Sequence, residues 1–323
     1  MNKFKKIGLT ALAGSLVATS AFAGSLSATG AASIGVSNIT GTNDQSTGKD
    51  WSMGNSVILG GSGELDNGMT VSMSFELDAN VDAGTGTGPF DNHSVTVSSD
   101  AMGTLTFSGH GGSSAQSAID TTAAGDIWDN GFTYTGANTK YTAMAGSDAN
   151  NDKSINYTFP TIMDDLALAA SYSGTTTATN STTAWSATYT GIEGLSVSYG
   201  SGEAGSTTAT SAGDVTTMKG SYAIGSFTAA YSNTESDKDS TGTDEEMSSF
   251  KISYTVTDDL SISYGEETHE TSGESVDEEF EAISVSYTTG GMTLTAAQYD
   301  ASGLGNTSGN TAERWKLGAS FAF

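Results

Sequence analysis

Residues able to do chemistry are few and scattered. The 323-residue chain has no Cys, 3 His, 11 Lys+Arg and 37 Asp+Glu. Without Cys there is no thiol nucleophile, thiolate metal site or disulfide. His93, His110 and His269 lack metal-ligand spacing. No G-x-S-x-G or H-E-x-x-H occurs, which removes a nucleophile elbow and a zinc-protease helix. Gly200-x-Gly202-x-x-Gly205 has the letters of a dinucleotide fingerprint. It opens onto Ser, Thr and Ala and not onto an amphipathic helix, so it reads as a flexible loop.

What remains is charge. The formal net charge is −26, and a polyanion cannot neutralise phosphates, so no nucleic acid is expected as a partner. Asp120, Asp126 and Asp129 occupy one stretch, and Asp237, Asp239, Asp244, Glu245 and Glu246 another. A third gathers Glu266, Glu267, Glu270, Glu274, Asp277, Glu278 and Glu279. Ca²⁺ or Mg²⁺ could bridge the second and third groups, or link them to phosphorylated lipid headgroups. Asp237-x-Asp239-x-Thr241-Gly242 opens like a calcium loop, which makes Asp237, Asp239 and Asp244 candidate ligands. Position twelve, however, is Ser248 where an EF-hand needs Glu, and the alternative is solvated loop charge.

The elements that position these groups begin with an export segment. Lys3, Lys5 and Lys6 precede the apolar run from Ile7 to Ala18, and Ala21-Phe22-Ala23 ends it. This is the pattern of a signal peptide cleaved after Ala23. Removing residues 1–23 leaves 8 basic against 37 acidic residues. Residues 24–323 then form the working domain.

That domain reads as strands. Leu195, Val197 and Tyr199 alternate with serines, as do Ile252 and Tyr254, Leu260, Ile262 and Tyr264, and Ile283, Val285 and Tyr287. Such alternation puts apolar residues on one face and hydroxyls on the other. Tight turns at Asp164-Asp165, Gly191 to Gly194, Ile224-Gly225, Asp258-Asp259 and Gly290-Gly291 alternate with long connections. Every long connection therefore falls at one end of an up-and-down meander. A soluble sandwich would bury its apolar faces together. Here the polar faces are Ser, Thr, Gly and Glu, the pattern of a transmembrane antiparallel barrel with lipid outside and water inside. Tyr172, Tyr189, Tyr199, Tyr231, Tyr254, Tyr264 and Tyr287 fit aromatic girdles. Trp315, Leu317, Ala319, Phe321 and Phe323 form one face of a closing strand.

The chain resembles the general diffusion porins of Gram-negative outer membranes, of the alphaproteobacterial type. The resemblance rests on the signal peptide, on Gly103-Thr104-Leu105-Thr106-Phe107-Ser108-Gly109 before a long loop, on Ile155-Asn156-Tyr157-Thr158-Phe159-Pro160 followed by Leu166 to Tyr172, and on Phe321-Ala322-Phe323. It implies a homotrimer of 16-stranded barrels in outer-membrane lipid, each narrowed by a third loop folded inward. It also implies that Phe323 is read by the barrel-assembly machinery. Residues 111–151 would be that loop, and Asp120, Asp126 and Asp129 its acids. A further hairpin from residues 132–135 and 139–145 would give 18 strands instead.

A barrel of this size leaves an aqueous channel, whose selectivity follows its width and lining charges. The family sets loop acids against an arginine cluster, but this chain has one arginine, Arg314. By strand parity Lys219, Lys251, Arg314 and Lys316 face inward as a thinned basic wall, and His110 and Glu76 also face the lumen. The expectation is passive diffusion of small hydrophilic solutes and ions through a pore favouring cations, with no enzymatic activity and no resident cofactor apart from bridging Ca²⁺ or Mg²⁺. The competing reading is an exported surface or adhesive β-protein without a channel.

Overall fold

The computed structural model describes residues 24–42, 48–78, 90–119, 122–130, 132, 153–174, 181–204, 213–238 and 243–323. They form β1 (Ser25–Gly41), β2 (Asp50–Glu64), β3 (Thr70–Asp78), β4 (Asn92–Ser99), β5 (Gly103–His110), β6 (Ser154–Thr158), β7 (Leu166–Ser173) and β8 (Thr182–Ile192). These are followed by β9 (Leu195–Ala204), β10 (Gly213–Ile224), β11 (Phe227–Lys238), β12 (Glu245–Thr257), β13 (Leu260–Thr271), β14 (Glu278–Thr289), β15 (Met292–Ser302) and β16 (Thr311–Ala322). Each strand pairs with the next, and β16 returns to β1, closing the barrel. Val36 opposite Leu317 and Gly35 opposite Gly318 set the closing register. The strand count is 16. β5 pairs directly with β6 through Thr104–Thr158 to Ser108–Ser154, which leaves no place in the wall for the extra hairpin.

Strand parity sorts the two faces as the sequence expects. Ile252, Tyr254, Ile262, Ile283, Val285 and Tyr287 are exposed on the outside. Inside, hydroxyls pair across strands: Thr96 with Thr106 at 3.1 Å, Thr188 with Ser198 at 2.8 Å and Ser263 with Ser284 at 2.7 Å. With each strand laddered to both neighbours and no sheet edge left, the barrel can sit in lipid. The turn between β14 and β15 is two residues long, and both Gly290 and Gly291 have positive φ (55° and 82°). That conformation matches the strand twist and is open to glycine.

Two expectations are corrected. The acidic "loops" are largely strand. β13 runs to Thr271 and β14 starts at Glu278, so Glu266, Glu267, Glu270, Glu278 and Glu279 are laddered residues. Asp237, Glu245 and Glu246 likewise stand in β11 and β12. Nor is the lumen uniformly hydroxyl-lined. A small apolar core of Ile39, Ile127, Phe132, Met247, Phe280, Ala301, Leu304 and Ala312 sits inside the barrel. It forms where residues of the third loop and of the β15–β16 connection pack on inward positions of the wall.

Candidate functional site

The third loop enters the lumen through a crowded corner. β5 ends at His110, and Gly111 takes φ +68°. A Cβ on Gly111 would lie 1.3 Å from Asn92 Oδ1, and one on Gly112 would lie 2.2 Å from Ser154 Oγ. Asn92 is held in turn by its Nδ2, which donates to Glu76 Oε2 at 2.8 Å. Glu76, expected in the lumen, thus helps fix the loop's entrance, and His110 is the last residue before it.

From there the loop follows the inner wall. The Ala115 amide donates to Ser171 Oγ of β7 (2.8 Å) and Gln116 Nε2 to Thr217 Oγ1 of β10 (2.7 Å). The Ala124 amide donates to Ser249 Oγ of β12 (2.8 Å), and the Trp128 amide to Glu267 Oε2 of β13 (3.0 Å). Phe132 stacks on Phe280 of β14 with centroids 5.9 Å apart. The described loop residues between Ala115 and Phe132 therefore touch the arc from β7 to β14, so this part of the loop lies inside the barrel.

The four inward bases all reach this loop. Lys219 Nζ donates to the Thr122 carbonyl at 3.1 Å and Lys251 Nζ to the Ala124 carbonyl at 3.4 Å. Arg314 Nη1 donates to the Asn130 carbonyl, and Lys316 Nζ to Asn130 Oδ1 at 3.1 Å. The oxygens they bond here are main-chain and amide ones, and Lys316 also lies within electrostatic reach of Asp129. Asp126, in a left-handed turn with φ +54°, accepts from Thr122 Oγ1 at 2.8 Å. Asp126 and Asp129 are exposed, and among the described residues neither forms an ion pair. Asp120 lies outside the described residues. Strands β1 to β6 carry no Lys or Arg at all.

Sequence reasoning missed the loop's wall partners. Ser171, Thr217 and Ser249 are indistinguishable from other lumen hydroxyls. Phe280 and Met247 did give a signal, because each is a large apolar group on an inward parity position and needs a cover.

At the long-connection end, His269 Nδ1 lies 3.0 Å from Glu278 Oε2 in a buried pair. Glu278 Oε1 accepts the Gly305 amide at 2.7 Å, drawing the β15–β16 connection inward. Beside it a cavity of about 520 Å³ is lined by Glu235, Asp237, Asp244, Glu246, Glu270 and Glu274, among others. Asp244 Oδ1 accepts the Lys238 amide at 2.9 Å. Asp239 lies outside the described residues, and among those described no group of three acids or histidines could hold a metal ion.

Phe323 completes the closure. Its amide donates to the Gly30 carbonyl (3.0 Å), and its carbonyl accepts the Gly30 amide (2.7 Å). A Cβ on Gly30 would meet the Phe323 ring at 2.4 Å, so glycine leaves room for the aromatic ring.

A closed barrel, apolar outside and polar inside, with a loop lodged in its lumen, defines a membrane pore. The Gram-negative porin family matches residues 8–323, and the chain belongs to that family of outer-membrane channel proteins. No curated protein matches it. Its fold is similar to that of an anion-selective porin from Comamonas acidovorans, with TM-score 0.72, 14% identity, and 93% of this chain and 100% of that one covered. It is also similar to a trimer form of OmpT, an outer membrane protein of Vibrio cholerae (TM-score 0.63, 17% identity, 93% and 99% covered). A mutant of Rh. blastica porin matches with TM-score 0.64 at 13% identity, with 93% and 100% covered.

Proposed function

We propose that the protein is a trimeric pore for passive diffusion of small hydrophilic solutes that favours cations, and that it performs no bond chemistry. The observation that carries the cation preference is the placement of charge at the loop. Asp126 and Asp129 are exposed, the four inward bases donate to loop oxygens, and β1 to β6 offer no base opposite them. The bases keep their charge but are partly covered by the loop, whereas the two carboxylates are exposed; exposed carboxylates along a narrow aqueous path enrich cations there. The Comamonas porin, anion-selective by description, shares the fold at 14% identity, so selectivity has to be argued from lining residues. In planar bilayers under a KCl gradient, the reversal potential is expected to show cation preference. Anion preference would overturn the reading.

Support for the trimer comes from the outer surface. The exposed tyrosines lie on β7 to β14, from Tyr172 to Tyr287, whereas β1 to β5 contain no Tyr. That wall exposes Leu26, Ile34, Met53, Val57, Met73 and Leu105, with Trp51 and Phe107 as its exposed aromatics. Tyrosines mark a membrane–water interface, so a wall without them suits contact with neighbouring copies. The OmpT trimer form is consistent with this. We also propose processing after Ala23, which N-terminal sequencing would check, and recognition of Phe323 by the barrel-assembly machinery. The adhesive alternative has no support in a closed, lipid-facing barrel of the porin family.

A further inference from the structure

We infer that Lys219, Lys251, Arg314 and Lys316 are positioning residues that latch the constriction loop to the wall and so set the pore's width, with Asn130 as the keystone of the latch. The inference rests on the channel reading above.

The third loop has little regular structure: among its described residues only Ser117–Ile119 form a helical turn. Its carbonyls therefore lack a ladder and need donors from elsewhere. The lumen wall answers with hydroxyls and carboxylates toward loop amides, and with cations toward loop oxygens. Lys219 and Lys251 take the carbonyls of Thr122 and Ala124 from the inner faces of β10 and β12, on either side of β11. Charge-assisted bonds of this kind are stronger than neutral ones.

Asn130, only 9% exposed, is held from both sides. Its carbonyl and Oδ1 receive Arg314 and Lys316, while its Nδ2 donates to the carbonyls of Asp126 (3.1 Å) and Ile127 (3.0 Å). Arg314 is anchored to the wall itself through Nη2 to Ser37 Oγ of β1 at 2.9 Å. A continuous path thus runs from β1 through Arg314 and Asn130 to the turn that presents the Asp126 carboxylate. The bases stand behind the loop, where they fix the position of the acids.

The alternative is that the bases act on permeating ions as pore charges, and the two roles predict opposite results. A nitroxide at Asp129→Cys, clean because the chain has no Cys, reports loop motion in the refolded full barrel. Lys219→Met with Lys251→Met, and separately Asn130→Ala, are expected to mobilise the label. They should also raise single-channel conductance and open-channel noise without increasing cation preference. Lys219→Arg with Lys251→Arg should restore the immobile spectrum. Ala124→Cys with Gly265→Cys should quiet the current of the methionine variant when oxidised. A Cβ on Gly265 would lie 2.8 Å from that of Ala124, and a disulfide needs a widening of about 1 Å that a loop can supply.

An unchanged spectrum together with a quiet current and stronger cation preference would overturn the latch. If the wild-type barrel passes no current, the channel reading fails. The label then decides the latch alone: mobilisation supports it, and an unchanged spectrum overturns it.

Discussion

Asp126 is placed by groups that are themselves buried, Thr122 at 1% and Asn130 at 9% exposure. Thr122 orients the Asp126 carboxylate, Asn130 holds its carbonyl, and the wall holds Asn130. Replacing both acids by Asn should leave the loop in place, because the Thr122 hydroxyl still has an amide oxygen to bond. The expected outcome is a reversal potential shifted toward zero in a KCl gradient, with conductance in saturating salt nearly unchanged. A preference unaltered by Asp126→Asn with Asp129→Asn would place the selectivity elsewhere in the lumen. The inward direction of Lys219, Lys251, Arg314 and Lys316 was legible from parity. Their targets were not, because a carbonyl oxygen leaves no trace in a sequence.

At the level of elements, the period of two carried most of the fold. Ser261, Ser263 and Ser284 face in, Ile262, Ile283 and Val285 face out, and the short turns mark one end without ambiguity. Strand length was harder to read. Glu266, Glu267 and Glu270 look like loop because charge is rare in strands, yet β13 extends above the apolar band to Thr271. There Glu235 faces Glu246, Glu246 faces Glu270, and Glu266 faces Glu281. Like charges directly opposite one another are destabilising. Added Ca²⁺ or Mg²⁺ is therefore expected to raise the melting temperature by screening these pairs, with no ordered site required; a melt indifferent to it would leave these acids simply solvated. The lumen core gives a second prediction. Phe280, 1% exposed, supports Phe132, so Phe280→Ala should cost roughly 3–5 kcal/mol, read as a lowered melting temperature with the barrel still closed.

For the whole molecule, tyrosine-free β1 to β5 and tyrosine-rich β7 to β14 predict an assembly that resists SDS at room temperature and separates on boiling. Migration as a monomer without heating would count against the trimer. Deleting Phe323 removes both backbone bonds to Gly30 and should reduce insertion into the outer membrane, measured as loss of heat-modifiable protein. The closing pair has one more consequence. β1 and β16 lie at opposite ends of the sequence, with Ala31 opposite Ala322 and Gly41 opposite Ala312, so no partial chain can hide its edges. Until the sixteenth strand arrives, every intermediate exposes two unpaired backbones, each a template for the wrong partner. A polypeptide interrupted before β16 is expected to keep an open edge at β1 and so to be cleaved faster than the closed barrel in limited proteolysis.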